Sequence, residues 1–169
     1  MLERLWSGWR STYVVGAPTR SDDDDDGASV FSRLLDSGLT DDETHIVHRS
    51  TTCFVVANVY PYTSGHVLVV PYREVADLED LGDDETADLW ATMTATVRTV
   101  RAAYRPDGVN VGLNLGRPAG GSVPNHLHVH VVPRWTGDSN FMSAIANTQS
   151  LPEALDETAR KLREAWPGE

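Results

Sequence analysis

Four stretches of the chain carry the hydrophobic pattern of strands. Val109–Leu115 (VNVGLNL) alternates strictly, with Val109, Val111, Leu113 and Leu115 on one face and Asn110, Gly112 and Asn114 on the other. His126–Val132 (HLHVHVV) alternates the same way, offering Leu127, Val129 and Val131 to a core. Cys53–Asn58 (CFVVAN) and His66–Pro71 (HVLVVP) are continuous apolar runs joined by the turn-forming YPYTSG, which predicts an antiparallel hairpin. Between these strand signals the period changes to that of a helix. Trp90, Met93, Val97, Val100 and Tyr104 form one apolar stripe behind the acids Asp83, Asp84 and Glu85, which complement a helix N-terminus. Arg98, Arg101 and Arg105 fill its last turns and Pro106-Asp107-Gly108 stops it. A second helix is predicted over 152–166, with Pro152 near its start and Leu155, Ala159, Leu162 and Trp166 on one side. Hairpins with two helices, no βαβ alternation and no internal repeat predict an α+β fold on an antiparallel sheet.

Length and charge narrow this further. A chain of 169 residues suits one domain. Residues 1–15 mix Leu5, Trp6, Trp9, Tyr13 and Val14 with arginines and are expected to dock on the domain or on a partner subunit, because two tryptophans in a free tail are costly. Residues 16–28 read as loop, and Asp22–Asp26 lacks the spacing and terminal Glu of an EF-hand, so a solvated, disordered charge run is expected. The division is therefore an arm with an acidic loop over 1–27 and a single domain over 28–169. The formal net charge is −11, and nearly half of it lies in that Asp run. Lys161 is the only lysine and stands in no Gly-rich phosphate loop. The acidic balance argues against a nucleic-acid partner. A lone Cys53 excludes an internal disulfide. The absence of an apolar run of about 20 residues argues against a membrane span. The N-terminus carries no apolar signal core, so a cytoplasmic protein is the expectation.

The chemistry concentrates in the second alternating strand. His126, His128 and His130 share one face, with Cβ atoms roughly 7 Å apart. Three readings compete: a His-rich surface strand, a metal site, and nucleophilic catalysis by an imidazole nitrogen. The surroundings favour the last. Ala119-Gly120-Gly121-Ser122, in the loop Gly116–Asn125, can offer backbone N–H groups and a hydroxyl to phosphate oxygens. Asn110 and Asn114 lie on the polar face of the neighbouring strand, and Arg134 supplies a positive charge just beyond the histidines.

His126-Leu127-His128-Val129-His130-Val131-Val132 resembles the signature of the histidine-triad (HIT) family, a His-φ-His-φ-His-φ-φ pattern with φ apolar, at every position. GHVLVVP at 65–71, GVNVGLNLG at 108–116 and AGGSV at 119–123 support the likeness from about Phe31 to Trp135. LWSGWRSTYV, NVYPYTSGHVLVVPYR and HVHVVPRWTGDSNFM are similar to the mycobacterial-type diadenosine tetraphosphate phosphorylases within that family. The resemblance implies an α+β unit of about five antiparallel strands and two main helices, its sheet extended across a homodimer, with a tetramer left open. It implies that His128 is the nucleophile and forms a covalent nucleotidyl-histidine, with His126 and His130 orienting it and holding phosphate oxygens. Asn114 and Ser122 match phosphate-binding positions, Asn58 a ribose-binding one, and Phe31, Leu34, Val56 and Val59 the apolar base pocket.

Two departures shape the expectation. Many bacterial relatives hold structural zinc through a Cys-x-x-Cys pair, a later His and the first triad His. Ser29, Ser32 and Glu74 stand at the first three positions here, so no structural zinc is expected. Gly121 replaces the Gln of hydrolytic relatives, which opens space for phosphate as second nucleophile. The expected activity is phosphorolysis of diadenosine tetraphosphate to ADP and ATP, with inorganic phosphate as co-substrate. No cofactor is required, and assistance by a divalent cation stays open. The alternatives are a hydrolase of dinucleoside polyphosphates or adenosine phosphoramidates, and a non-catalytic nucleotide-binding module.

Overall fold

The computed structural model describes residues 27–138 and 153–168. The N-terminal arm, the Asp run and Pro152 lie outside the described residues. The elements run in the order α1 (Val30–Leu35), α2 (Asp41–Thr44), β1 (Ile46–Arg49), β2 (Cys53–Ala57), β3 (Val67–Pro71), α3 (Asp83–Tyr104), β4 (Gly108–Gly112), β5 (Val129–Arg134) and α4 (Leu155–Ala165), with short 3₁₀ turns at Leu78–Asp80 and Arg117–Ala119. The five strands form one antiparallel sheet in the order β1-β2-β3-β5-β4. This is the predicted α+β architecture. No described helix is long and apolar enough to cross a membrane.

The two faces of the sheet have different tasks. One packs on α3 and α4 through Val55, Val69, Val129 and Val131, against Leu89, Met93, Val100 and Leu162. The other carries Ile46, Phe54, Val56, Leu68 and Val70 beneath Phe31 of α1. β2 and β3 are buried on both faces, which is why they read as continuous apolar runs. Cys53 belongs to the first core, and burial pushes its thiol up to about 12, leaving an unreactive core residue.

Three short elements escaped the pattern, because each is built by capping and tertiary packing. The Ser29 side chain caps α1 by accepting from the Ser32 N–H. Thr40 and Glu43 form a reciprocal capping box on α2. His45, at φ 58°, ends α2 and turns the chain into β1. The guanidinium of Arg163 on α4 then clamps this corner, donating to the carbonyls of Ile46 (2.8 Å) and Asp41 (2.6 Å) and pairing with Asp42.

Other expectations need correction. Trp90 is 71% exposed, not part of the core; Leu89 takes its place on the buried face with Thr92, Met93, Thr96, Thr99 and Val100. Threonines fill this seam because each hydroxyl can donate back along the helix, as Thr96 does to the Thr92 carbonyl at 2.7 Å, so the face looks polar in sequence yet buries well. β4 ends at Gly112, short of Leu115, and β5 begins at Val129, so His126 and His128 precede the ladder. There the Leu127 N–H leaves the sheet register and donates to the Val75 carbonyl at 2.7 Å.

One glycine is fixed by packing. Gly65 sits at φ +82°, and a β-carbon there would stand 2.7 Å from the Tyr104 ring. Gly65→Ala therefore combines left-handed strain with overpacking and should cost about 2–4 kcal/mol, read from urea unfolding. An unchanged urea midpoint would contradict this packing.

Candidate active site

The second face of the sheet gathers four histidines, one more than the triad. His130 pairs in register with Leu68 on β3, so His66, two residues earlier on the same face, is brought against it. Nothing in the HVLVVP run marks His66 as functional, and only the β3–β5 register exposes it. The rings of His128 and His130 stand 5.0 Å apart, and those of His66 and His130 5.1 Å apart.

Backbone groups fix the proton positions on these rings. The Tyr62 N–H donates to His66 Nδ1 at 3.0 Å, so the proton of neutral His66 is on Nε2. That Nε2–H donates to His130 Nδ1 at 2.9 Å, which puts the His130 proton on its own Nε2. His130 Nε2 is buried and has no hydrogen-bond partner among the described residues, leaving a donor without an acceptor. The Nδ1–H of His128 donates to the His126 carbonyl at 2.8 Å, so the lone pair lies on Nε2. His126 is fully buried; its Nε2–H donates to the Pro71 carbonyl at 2.8 Å, and its Nδ1 accepts from the Ser29 hydroxyl at 2.5 Å. One ring thus carries an unpartnered lone pair and its neighbour an unpartnered N–H, the pairing needed to attack a phosphorus and hold an oxygen of the same group.

Burial keeps the rings neutral. It lowers His128 below the usual histidine value, opposed in part by the bond to the His126 carbonyl. Burial, with repulsion from His128 in second place, pushes His130 down to about 4. Burial and the neighbouring His130 and His128 push His66 down to about 3. A nucleophilic imidazole must be deprotonated, and at neutral pH this one is.

The remaining predicted residues divide. Phe31, Leu34 and Val56 gather in one apolar cluster beside the row, with the Phe31 ring 5.3 Å from that of His128. Asn58 lies at the far end, its amide nitrogen 3.3 Å from His66 Nδ1 and its Oδ1 accepting from the Tyr60 N–H. Val59 is 67% exposed and stands apart from this cluster. Register pairs Gly112 with His130, so Asn114, two residues on, continues toward His128. The loop after it closes on itself: a β-carbon at Gly121 would stand 3.1 Å from the Gly116 carbonyl oxygen and 3.2 Å from that of Asn114. Gly121 is thus required by the loop's own backbone, a constraint separate from room for a second nucleophile. Gly121→Ala should displace the loop by tenths of an ångström and lower kcat/KM about tenfold at little cost in stability, checked by steady-state kinetics beside thermal unfolding. An unchanged kcat/KM would remove the loop from the site. Ser122 follows at the exposed surface, and Val123 returns to pack against the Phe31 cluster. Arg134 lies four residues beyond His130, its guanidinium held by Asp138 at 2.6 and 2.7 Å and by Asn110 at 3.1 Å. Its charge is therefore committed locally. Arg117, exposed on the loop itself, is a cation that sequence reasoning passed over.

The positions of Ser29, Ser32, Glu74 and His126 do not fit zinc. Neutral hydroxyls are poor zinc ligands, and these four residues already bond one another directly: Ser29 to His126, Ser32 Oγ to Glu74 at 2.7 Å, and the Ser29 N–H to Glu74 at 2.9 Å. Among the described residues no group of three or more His, Cys, Asp or Glu side chains is placed to hold a metal.

Comparison with known proteins accords with this geometry. The family profile described as HIT domain matches residues 40–137. The AP-4-A phosphorylase of Mycobacterium tuberculosis is 44% identical over 165 residues, covering 98% of this chain and 85% of that protein. The bis(5'-adenosyl)-triphosphatase of Saccharomyces cerevisiae is 37% identical over 91 residues, covering 53% of this chain and 44% of that protein. A zinc-bound histidine triad family protein from Mycobacterium smegmatis superposes with a TM-score of 0.67 at 26% identity, covering 82% of this chain and 93% of that one. With the profile spanning more than half of its length and a relative of high identity along nearly all of it, the chain belongs to the HIT domain family.

Proposed function

We propose that the protein cleaves diadenosine tetraphosphate by phosphorolysis, giving ADP and ATP through a nucleotidyl intermediate on His128. The observation that carries this reading is the pair of unpartnered ring nitrogens, a lone pair on His128 Nε2 beside an N–H on His130 Nε2. The similarity to the mycobacterial AP-4-A phosphorylase over 98% of the chain supports the choice of substrate.

In this reading His128 Nε2 attacks the α-phosphorus of one adenosine. The P–O bond to the β-phosphate breaks, and ATP leaves with the electron pair. The His128 ring becomes cationic, and its Nδ1–H bond to the His126 carbonyl strengthens as that charge develops. The His130 Nε2–H holds an oxygen of the transferring group. An oxygen of inorganic phosphate then attacks the same phosphorus, the P–N bond breaks, and ADP departs with His128 restored. Phe31, Leu34 and Val56 take the base, Asn58 the ribose, and Asn114, Gly121 and Ser122 the phosphate oxygens. A second copy of the chain pairs along β4, the exposed edge of the sheet where Val111 is 46% exposed, and extends the sheet into a homodimer.

The test is product analysis with diadenosine tetraphosphate in the presence and absence of phosphate. ADP and ATP formed only with phosphate support phosphorolysis. AMP and ATP formed at the same rate without phosphate would make the protein a hydrolase.

A further inference from the structure

Glu74 lies outside the row of histidines, yet it ends an unbroken line of hydrogen bonds that reaches the nucleophile. Its Oε2 accepts from the Ser29 N–H at 2.9 Å and from the Ser32 hydroxyl at 2.7 Å. A carboxylate can only accept, so the Ser32 proton points to Glu74. The Ser29 oxygen accepts from the Ser32 N–H at 3.0 Å, and its own proton goes to His126 Nδ1 at 2.5 Å, closer than its other acceptor, Ser32 Oγ at 3.1 Å. The Pro71 carbonyl can only accept, so the His126 proton is on Nε2 and is donated there at 2.8 Å. The ring of His126 is anchored at both nitrogens inside the core, and its backbone carbonyl is the group that holds the Nδ1–H of His128.

We propose that Glu74 is a positioning residue: acting through Ser32 and Ser29, it anchors the His126 ring at Nδ1 and so keeps the His126 carbonyl, which holds the His128 Nδ1–H, in the place that aims the Nε2 lone pair at the substrate. Without the carboxylate, both serine hydroxyls are free to turn. The Ser29 hydroxyl can then donate to Ser32 Oγ, 3.1 Å away, as readily as to His126, and the ring loses its Nδ1 anchor while the Pro71 carbonyl still holds its Nε2–H. The side chain of Glu74 is 26% exposed beside a fully buried His126, so it can be exchanged with little loss of core. Hydrogen bonds from Ser32 and Ser29 outweigh its desolvation and hold its carboxyl below the usual range, so the acceptor state persists at neutral pH. The inference rests on His128 as nucleophile for its kinetic consequence, but not for its effect on His126.

The experiment compares Glu74→Ala, Glu74→Gln, Ser29→Ala and the double variant Ser29→Ala/Glu74→Ala in the full chain. Steady-state kinetics on diadenosine tetraphosphate with phosphate is read beside nitrogen-15 NMR of the histidine rings. Glu74→Ala should lower kcat about tenfold with KM within about twofold of the parent, as for other groups that orient a reacting residue through a neighbour. Its His126 Nδ1 signal should shift toward that of a ring nitrogen without a hydrogen bond, with the Nε2–H tautomer kept. Glu74→Gln, whose amide oxygen can accept both bonds, should recover most of kcat and the parent His126 signals. The double variant should be no slower than the slower single, because both act along one line. Should Glu74→Ala fail to fold, Ser32→Ala breaks the same line and stands in for it. A folded Glu74→Ala protein with parental kcat and parental His126 signals overturns the proposal. So does multiplicative loss in the double variant, or a Glu74→Gln protein as slow as Glu74→Ala. If the His126 signals move as expected while the parent itself shows no turnover, the functional reading fails and the positioning role stands.

Discussion

Replacing His128 with alanine is expected to abolish turnover of diadenosine tetraphosphate, lowering kcat by on the order of 10⁵-fold, the scale seen when a covalent nucleophile is removed. Its Nε2 carries the attacking lone pair because Nδ1–H is committed to the His126 carbonyl. No neighbour can substitute. His126 has both ring nitrogens bonded within the core, and His130 Nδ1 is taken by His66. Binding should survive better than chemistry, because the apolar cluster of Phe31, Leu34 and Val56 lies on other elements. Calorimetry should find dissociation constants for an adenine nucleotide within about tenfold of the parent. A His128→Ala protein that retains measurable kcat would exclude nucleophilic catalysis by this residue.

Acid should unfold the protein sooner than its carboxylates alone would dictate. His66 and His130 are held neutral, with values pushed by burial down to about 3 and about 4, and burial lowers His126 and His128 as well. In the unfolded chain these rings return to about 6.5. Below that pH the unfolded state binds more protons than the folded one, so stability falls with pH, by up to about 1.4 kcal/mol per pH unit for each ring. The stabilisation is whole above pH 6.5 and is lost as pH drops toward the folded values. Paired carboxylates act lower: Glu85, held by Arg73 at about 2, loses its contribution only below its ordinary range near 4.5. The window between pH 6.5 and 4.5 therefore belongs to the histidines, and stability should be about 2–4 kcal/mol lower at pH 5 than at pH 7.5. Urea midpoints at the two values check this. A flat midpoint between them would show that the rings are not buried and neutral together.

The strand and helix framework could be read from periodicity because β2, β3 and α4 bury continuous or regularly spaced apolar residues. Prediction went wrong where sequence and burial part company. Trp90 lost its core place to Leu89 because threonines with satisfied hydroxyls line the same helix face. The triad was visible because three histidines at alternate positions are rare, whereas His66 is an unremarkable residue ahead of an apolar run until register sets it against His130. Arg134 drew attention by its closeness in sequence to the triad, but Asp138 holds its guanidinium. Ser29, Ser32 and Glu74 were noticed as the wrong residues for zinc. Their line of hydrogen bonds, which reaches His126 through Ser29, depends on three segments meeting, which no local pattern encodes.

The central claim is a nucleotide carried on His128 and discharged by phosphate. It is tested by mixing the protein with diadenosine tetraphosphate in phosphate-free buffer, quenching rapidly under alkaline conditions that spare a phosphoramidate bond, and mapping the adduct by mass spectrometry. An adenylyl group on His128, released as ADP when phosphate is added before the quench, is the predicted result. An adduct on another residue, or AMP accumulating with phosphate making no difference, would contradict it.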